Sequence, residues 1–172
     1  MTMNKGNHRR HLELEINPRL LSTAQQKGEK VLHTRGGGHF ILHYIKDKVQ
    51  NSRDLLLSEI MRLSAGLPRM EDEKTTCWWL NVEFVYYTSN KKLYGQYKTT
   101  APDGDNLVKL LQDVITKSGL YWHNDGQVQT DGIVRRYITK DESPRILVTL
   151  RNRAENFNKD PQQLTFFRKD EP

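Results

Sequence analysis

The sequence contains one cysteine, Cys77, in 172 residues. No disulfide can form within the chain, and a reducing cytoplasm is the expected setting. Cys77 stands in an apolar run beside Trp78 and Trp79, so it reads as a small buried hydrophobe rather than a nucleophile. No stretch of about 18 apolar residues occurs, which excludes a membrane-spanning helix. The opening MTMNKGNHRRH is basic but lacks the apolar segment of a signal peptide. Hydrophobic residues are also sparse, at 35%. A chain of this length and composition is expected to form one domain with a modest core.

Charge, by contrast, is plentiful. Charged residues make up 28% of the chain, the net charge is +6 and the pI is near 9.4. That excess favours a polyanionic partner, nucleic acid first, with plain solubility as the alternative.

Residues 1–11 read as a disordered basic N-terminus, 12–150 as the domain, and 151–172 as a polar tail. LELEI (12–16) alternates as a half-buried strand does, and Pro18 ends it. Gly36, Gly37 and Gly38 predict a loose turn between short strands at 31–33 and 40–42. A phosphate-binding loop is the weaker reading of these glycines, since no lysine-serine pair follows them. Ile45, Val49, Leu56, Ile60 and Leu63 share one face of a helix over 44–63, stopped by Gly66 and Pro68. Residues 69–76 are a charged loop. CWWLNVEFVYY (77–87) is aromatic and β-branched, as a central strand is. A second helix is predicted over 105–118 with Gly119 as its C-terminal cap. Strands near 127–138 and 145–150 follow, and LTFF (164–167) is an apolar patch in the tail. The fold class expected is α/β in the broad sense, α+β: a mixed β-sheet packed with two main helices.

PDGDNLVKLLQD, residues 102–113, places two acids one residue apart at a helix mouth, with Lys109 one turn further in. Taken alone, a structural explanation suffices. Asp103 or Asp105 caps the helix, and Asp105, Lys109 and Asp113 form a solvated ladder of weak ion pairs. The segment GLYWHNDGQV adds Asp125 at a turn before a strand. If that turn folds back to the helix mouth, three carboxylates converge. Hard divalent cations such as Mg²⁺ take oxygen ligands of this type. Gly104 permits a sharp bend, and the helix N-terminus adds positive potential. Such a cluster, with a lysine beside it, suits phosphodiester hydrolysis. An EF-hand fails on spacing, because no glutamate stands at the twelfth loop position. Zinc fails because His123 is alone, and that histidine reads as a surface or phosphate-contacting side chain.

PDGDNLVKLLQDVITKSGLYWHNDGQV is similar to the RusA family of Holliday-junction resolvases. That family's signature runs D-x-D-N-x-x-K, then a helix with an aspartate, then D-D-x-Q-V. The match spans Asp103 to Val128. The resemblance implies that Asp103, Asp105 and Asp125 are Mg²⁺-binding catalytic aspartates and Lys109 the catalytic lysine, with Asn106 and Asp113 in support. It also implies a homodimer, since a four-way junction has approximate two-fold symmetry and needs two nicks. This chain departs from the pattern in three places. Asn124-Asp125 replaces the paired acids, the spacing to them is one residue longer, and NPRLLSTAQQ replaces a P-P-S-x-N-like loop.

The loop TSNKKLYGQYKTT (88–100) leads into the acidic motif and holds no acid. Lys91, Lys92 and Lys98 are expected to hold phosphates, and Tyr94 and Tyr97 to stack on unpaired bases. Packing of these tyrosines on the sheet is the alternative. Lys27, Lys30 and Arg35 form a second, weaker basic group. The expectation is a Mg²⁺-dependent endonuclease that resolves branched DNA, with no membrane partner and no small-molecule cofactor. Three alternatives remain: a flap or fork nuclease, a junction-binding protein whose site is impaired, and a small domain in which the acids are only a cap.

Overall fold

The computed structural model describes residues 8–23, 28–33, 36, 39–44, 46–67 and 76–153. Among these described residues, six strands and two long helices follow one another as β1 (His8–Leu14), β2 (Gly28–His33), β3 (His39–Tyr44), α1 (Asp47–Ser64), β4 (Cys77–Tyr86), α2 (Gly104–Ser118), β5 (Val128–Tyr137) and β6 (Arg145–Arg153). Four strands form a mixed sheet in the order β1-β6-β4-β5. β6 runs antiparallel to both β1 and β4, while β4 and β5 are parallel. A parallel pair needs a crossover, and α2 supplies it. β2 and β3 make a separate antiparallel hairpin around Gly36, as the glycine run predicts; Gly37 and Gly38 lie outside the described residues.

Alternation along β4 sets the layers. Trp78, Leu80, Val82, Phe84 and Tyr86 are buried, whereas Asn81 is exposed. Ile146, Val148 and Leu150 of β6 and Leu12 and Leu14 of β1 extend the same apolar face. The helices cover it. Val49, Leu56 and Ile60 of α1 are buried, as are Leu107, Val108, Leu110, Leu111, Val114 and Ile115 of α2. Each such side chain contributes about 2 kcal/mol on leaving water. Ile45, placed on the same stripe by its spacing, lies outside the described residues.

Several boundaries differ from the sequence expectation: β2 begins at Gly28, Tyr44 belongs to β3, α1 starts only at Asp47, and two strands of the main sheet are longer. β1 begins at His8 rather than Leu12, because His8, Arg9 and Arg10 pair with Asn152, Arg151 and Leu150. β6 correspondingly runs to Arg153. Both extensions depend on a partner strand distant in sequence, so neither shows in local alternation. The LTFF patch and the loop 68–75 fall outside the described residues. Among the described residues, no helix is long and apolar enough to cross a membrane.

Candidate active site at the mouth of helix α2

α2 is built as its sequence predicts. Six apolar residues bury one face, and Gly119 ends the helix in the left-handed conformation (φ 65°). Asp103 occupies the N-cap position, yet its carboxylate makes no capping hydrogen bond; only its backbone carbonyl accepts, from the Leu107 amide. Asp105 and Lys109 are exposed. No hydrogen bond or ion pair ties either side chain to a described residue, so the ladder Asp105–Lys109–Asp113 does not form. Asp113 turns instead to Arg53 of α1, 3.1 Å away. The structural explanation of the two acids therefore loses both its cap and its ladder. Asn106 is half-buried beside Lys109.

The turn bearing Asp125 is fixed by its neighbours. Gln127 is buried, and its Oε1 accepts from the amides of His123 (2.9 Å) and Asn124 (3.1 Å). Its amide group donates to the Thr76 carbonyl. The preceding aromatics anchor the segment. Tyr121 and Trp122 pack edge-on against Trp78, and Trp122 Nε1 donates to Thr116 Oγ1 at 2.7 Å. Asp125 is exposed, with a side chain free of bonds to the described residues.

This turn does not reach the helix mouth within one chain. Asp125 lines a cleft of about 370 Å³ with Arg53, Asp113, Thr116, Lys117 and Asn124, beside the C-terminal half of α2. Gly104, at the other end, packs against Ile133 and Arg135 near the far end of β5. Counted along the helix axis from Asp105 to the turns bearing Asp113 and Lys117, the separation is about 12–18 Å. In keeping with this, no three His, Cys, Asp or Glu side chains among the described residues gather closely enough to hold a metal ion. The expected convergence of three carboxylates is thus absent in a single chain. The turn follows the C-terminal cap of α2 directly, and Gln127 holds it there, while β5 then runs back toward the helix mouth.

A second cleft, of about 340 Å³, adjoins the first through Arg53 and Asp113 and is lined by Thr23, Asn106 and Lys109. Of the basic loop, Lys91 and Lys92 are exposed on a 3₁₀ turn (Lys91–Leu93), Tyr97 is 75% exposed, and Tyr94 is half-buried. Lys98 departs from expectation. It is only 8% exposed, and its ammonium points inward to Thr100 and Ala101, so it does not present itself to DNA. His123 is exposed at the surface. Lys27 and Arg35 lie outside the described residues, as does the side chain of Lys30 on β2.

Sequence reasoning missed Arg53, Gln127 and Arg135. Gln127 was visible as the closing Q-V of the motif, whereas nothing local marks Arg53 or Arg135.

Comparison with known proteins gives two findings. The family model described as endodeoxyribonuclease RusA matches residues 23–151. A crossover junction endodeoxyribonuclease rusA of Lactococcus phage r1t is 34% identical over 116 residues, covering 67% of this chain and 79% of the relative. Nucleases of the matched family are metal-dependent as a class. With the paired aspartates at the mouth of α2, the lysine one turn on and a match across most of the domain, the chain belongs to the RusA family of endodeoxyribonucleases, the Holliday-junction resolvases.

Proposed function

We propose that this chain resolves four-way DNA junctions in recombination and repair, as a cytoplasmic homodimer that makes paired, symmetric, Mg²⁺-dependent nicks. Family membership supports endonucleolytic cleavage of DNA, and the phage relative's name directs the reading to crossover junctions. The observation that carries the site is the state of Asp103 and Asp105. They are two exposed carboxylates one residue apart, neither engaged in a cap or an ion pair with the described residues.

Their oxygen donors suit a hard divalent cation. Among the described residues of one chain, this pair stands at the helix mouth without a third acid, because Asp125 sits beside the other end of α2. In a C2 dimer, Asp125 of the partner subunit completes the set, and symmetry produces two equal sites. Held by these carboxylates, a hard divalent cation would supply water activation and charge compensation at the scissile phosphate. Lys109, exposed one turn in from Asp105, places an ammonium against a phosphate or leaving oxygen. Lys91, Lys92 and Tyr97 face solvent and contact the backbone and unstacked bases near the crossover. Asn106 supports Lys109, and Asp113 ties α2 to α1 through Arg53.

Incubation with a synthetic four-way junction, with and without Mg²⁺, tests this reading. The expected product is a pair of Mg²⁺-dependent nicks at symmetry-related positions in strands of like polarity. Asp105→Asn is expected to keep junction binding and lose cleavage. Faster cutting of flaps or forks would replace the resolvase with a branch nuclease. Tight binding without product would mark a junction-binding protein in which Asn124 has replaced a needed acid.

A further inference from the structure

We infer that Lys98 and Arg135 are positioning residues for the Asp103–Asp105 pair, clamping the strap Thr100–Pro102 so that the two acids enter α2 at a fixed angle. The inference rests on the reading of these acids as the cation-holding pair.

All three N–H groups of the Lys98 ammonium are engaged by the strap: the Thr100 carbonyl at 2.6 Å, Thr100 Oγ1 at 2.7 Å and the Ala101 carbonyl at 2.6 Å. Arg135 Nη1 donates to the Thr100 carbonyl at 3.0 Å and also to that of Pro102. Three successive carbonyls, Thr100 to Pro102, are thus turned onto two cations immediately before Asp103. Arg135 also underlies the first turn of α2. A Cβ on Gly104, between the two acids, would stand 3.4 Å from Arg135 Nε and 3.0 Å from Ile133 Cγ2. The two clamp residues are themselves cross-linked, since the Lys98 amide donates to the Arg135 carbonyl at 2.8 Å. Tyr86 backs the ammonium with its ring 5.0 Å away.

The arrangement exceeds what tying down a loop requires. Among the described residues neither cation has a carboxylate partner. Burial pushes the Lys98 ammonium below its ordinary range, and the nearby positive charges of Arg135 and Arg19 push it the same way. A neutral side chain would hold the strap without setting like charges together. What two cations add is rigidity in the segment that leads directly into the acidic pair, and a cation site demands its ligands within a few tenths of an ångström (about 0.5 Å) of the working geometry.

The test is Lys98→Met, which keeps the apolar stem and removes all three donors, beside Arg135→Lys, which keeps the charge and loses the planar fork. Mn²⁺ binding to the full-length protein, followed by loss of the free-ion spin-resonance signal, is measured together with junction affinity in metal-free buffer over a range of salt. Either variant is expected to weaken Mn²⁺ binding by about tenfold or more, as removal of outer-shell partners does. Junction affinity and its salt slope are expected to stay unchanged. Should Lys98→Met fail to fold, Arg135→Lys with Thr100→Ala is read in the same way. Unchanged Mn²⁺ affinity in folded variants would overturn the inference. So would a salt slope reduced by about 0.9, which would make Lys98 a phosphate ligand. If the wild type itself binds no Mn²⁺ and cuts no junction, the proposed function fails first, and that result is distinct from wild-type binding that the variants leave untouched.

Discussion

Arg53 on α1 reaches Asp113 on α2 through a single 3.1 Å contact that divides two adjoining clefts, one lined by Lys109 and the other by Asp125. The pair braces the helices where they meet above the sheet. It is also half-exposed, with side-chain accessibilities of 28% and 37%. Ion pairs this open contribute up to about 1 kcal/mol. Arg53→Met is therefore expected to lower Tm by no more than about 4 °C in a domain of this size. A thermal melt checks it, and a much larger fall would show that the pair holds α1 against α2 more firmly than its exposure allows.

Gln127 governs the placement of Asp125. Its side chain satisfies two backbone amides of the turn and reaches the Thr76 carbonyl. Gln127→Ala leaves those groups without their partner, at a stability loss of about 1–3 kcal/mol. Hydrogen exchange at the His123 and Asn124 amides is expected to accelerate. Junction cleavage is expected to fall by up to about a hundredfold through misplacement of the turn. Cleavage at the wild-type rate alongside faster exchange would show that the turn's geometry does not matter to the chemistry.

Acid stability has a definite sign. The Arg136 guanidinium, bonded to both oxygens of Glu142, holds that carboxyl down to about 2 against a usual value of 4.5. Arg136 also pairs with Glu83, and Arg145 links Glu142 to Glu13. A carboxyl lowered on folding adds stability that is fully present above its unfolded value and is lost as pH falls through the folded one. The stability difference between wild type and Glu142→Gln should thus be full above 4.5 and shrink as pH falls toward 2. Denaturant midpoints across that window measure it, and a difference independent of pH would contradict the assignment.

Lys91 and Lys92 face solvent on the turn that precedes the strap. The double variant Lys91→Ala, Lys92→Ala is expected to weaken junction binding and reduce its salt slope by up to about 1.8, two phosphate contacts' worth. An unchanged slope in a salt titration would remove this turn from the DNA interface.

The elements that local chemistry determines were legible in the sequence. The apolar stripe of α2, its glycine cap at Gly119 and the alternation of β4 all appear where periodicity places them. What the sequence concealed depends on contacts between distant segments. Lys98 looked like its neighbours Lys91 and Lys92 until the edge of β5 drew the loop in: the Lys98 amide bonds to the Arg135 carbonyl, and Tyr97 bridges Arg136. Asp113 was expected to pair along its own helix, because nothing in the chain's order announces that Arg53 lies opposite. The acidic residues were found by spacing. Their separation to opposite ends of α2 was not, since it depends on Gln127 tying the turn to Thr76 beside the end of the helix instead of letting it fold back to the mouth.

Subunit mixing distinguishes a site shared between subunits from one completed within a single chain. Asp105→Asn and Asp125→Asn chains, each expected to be inactive alone, are co-expressed with different tags, and the mixed dimer is isolated and given a four-way junction with Mg²⁺. If each site draws Asp103 and Asp105 from one subunit and Asp125 from the other, one site in the mixed dimer carries both lesions and the other carries none. Nicking is then expected to return, one strand per junction. A mixed dimer as inactive as its parents, beside an active wild type, would contradict the shared site.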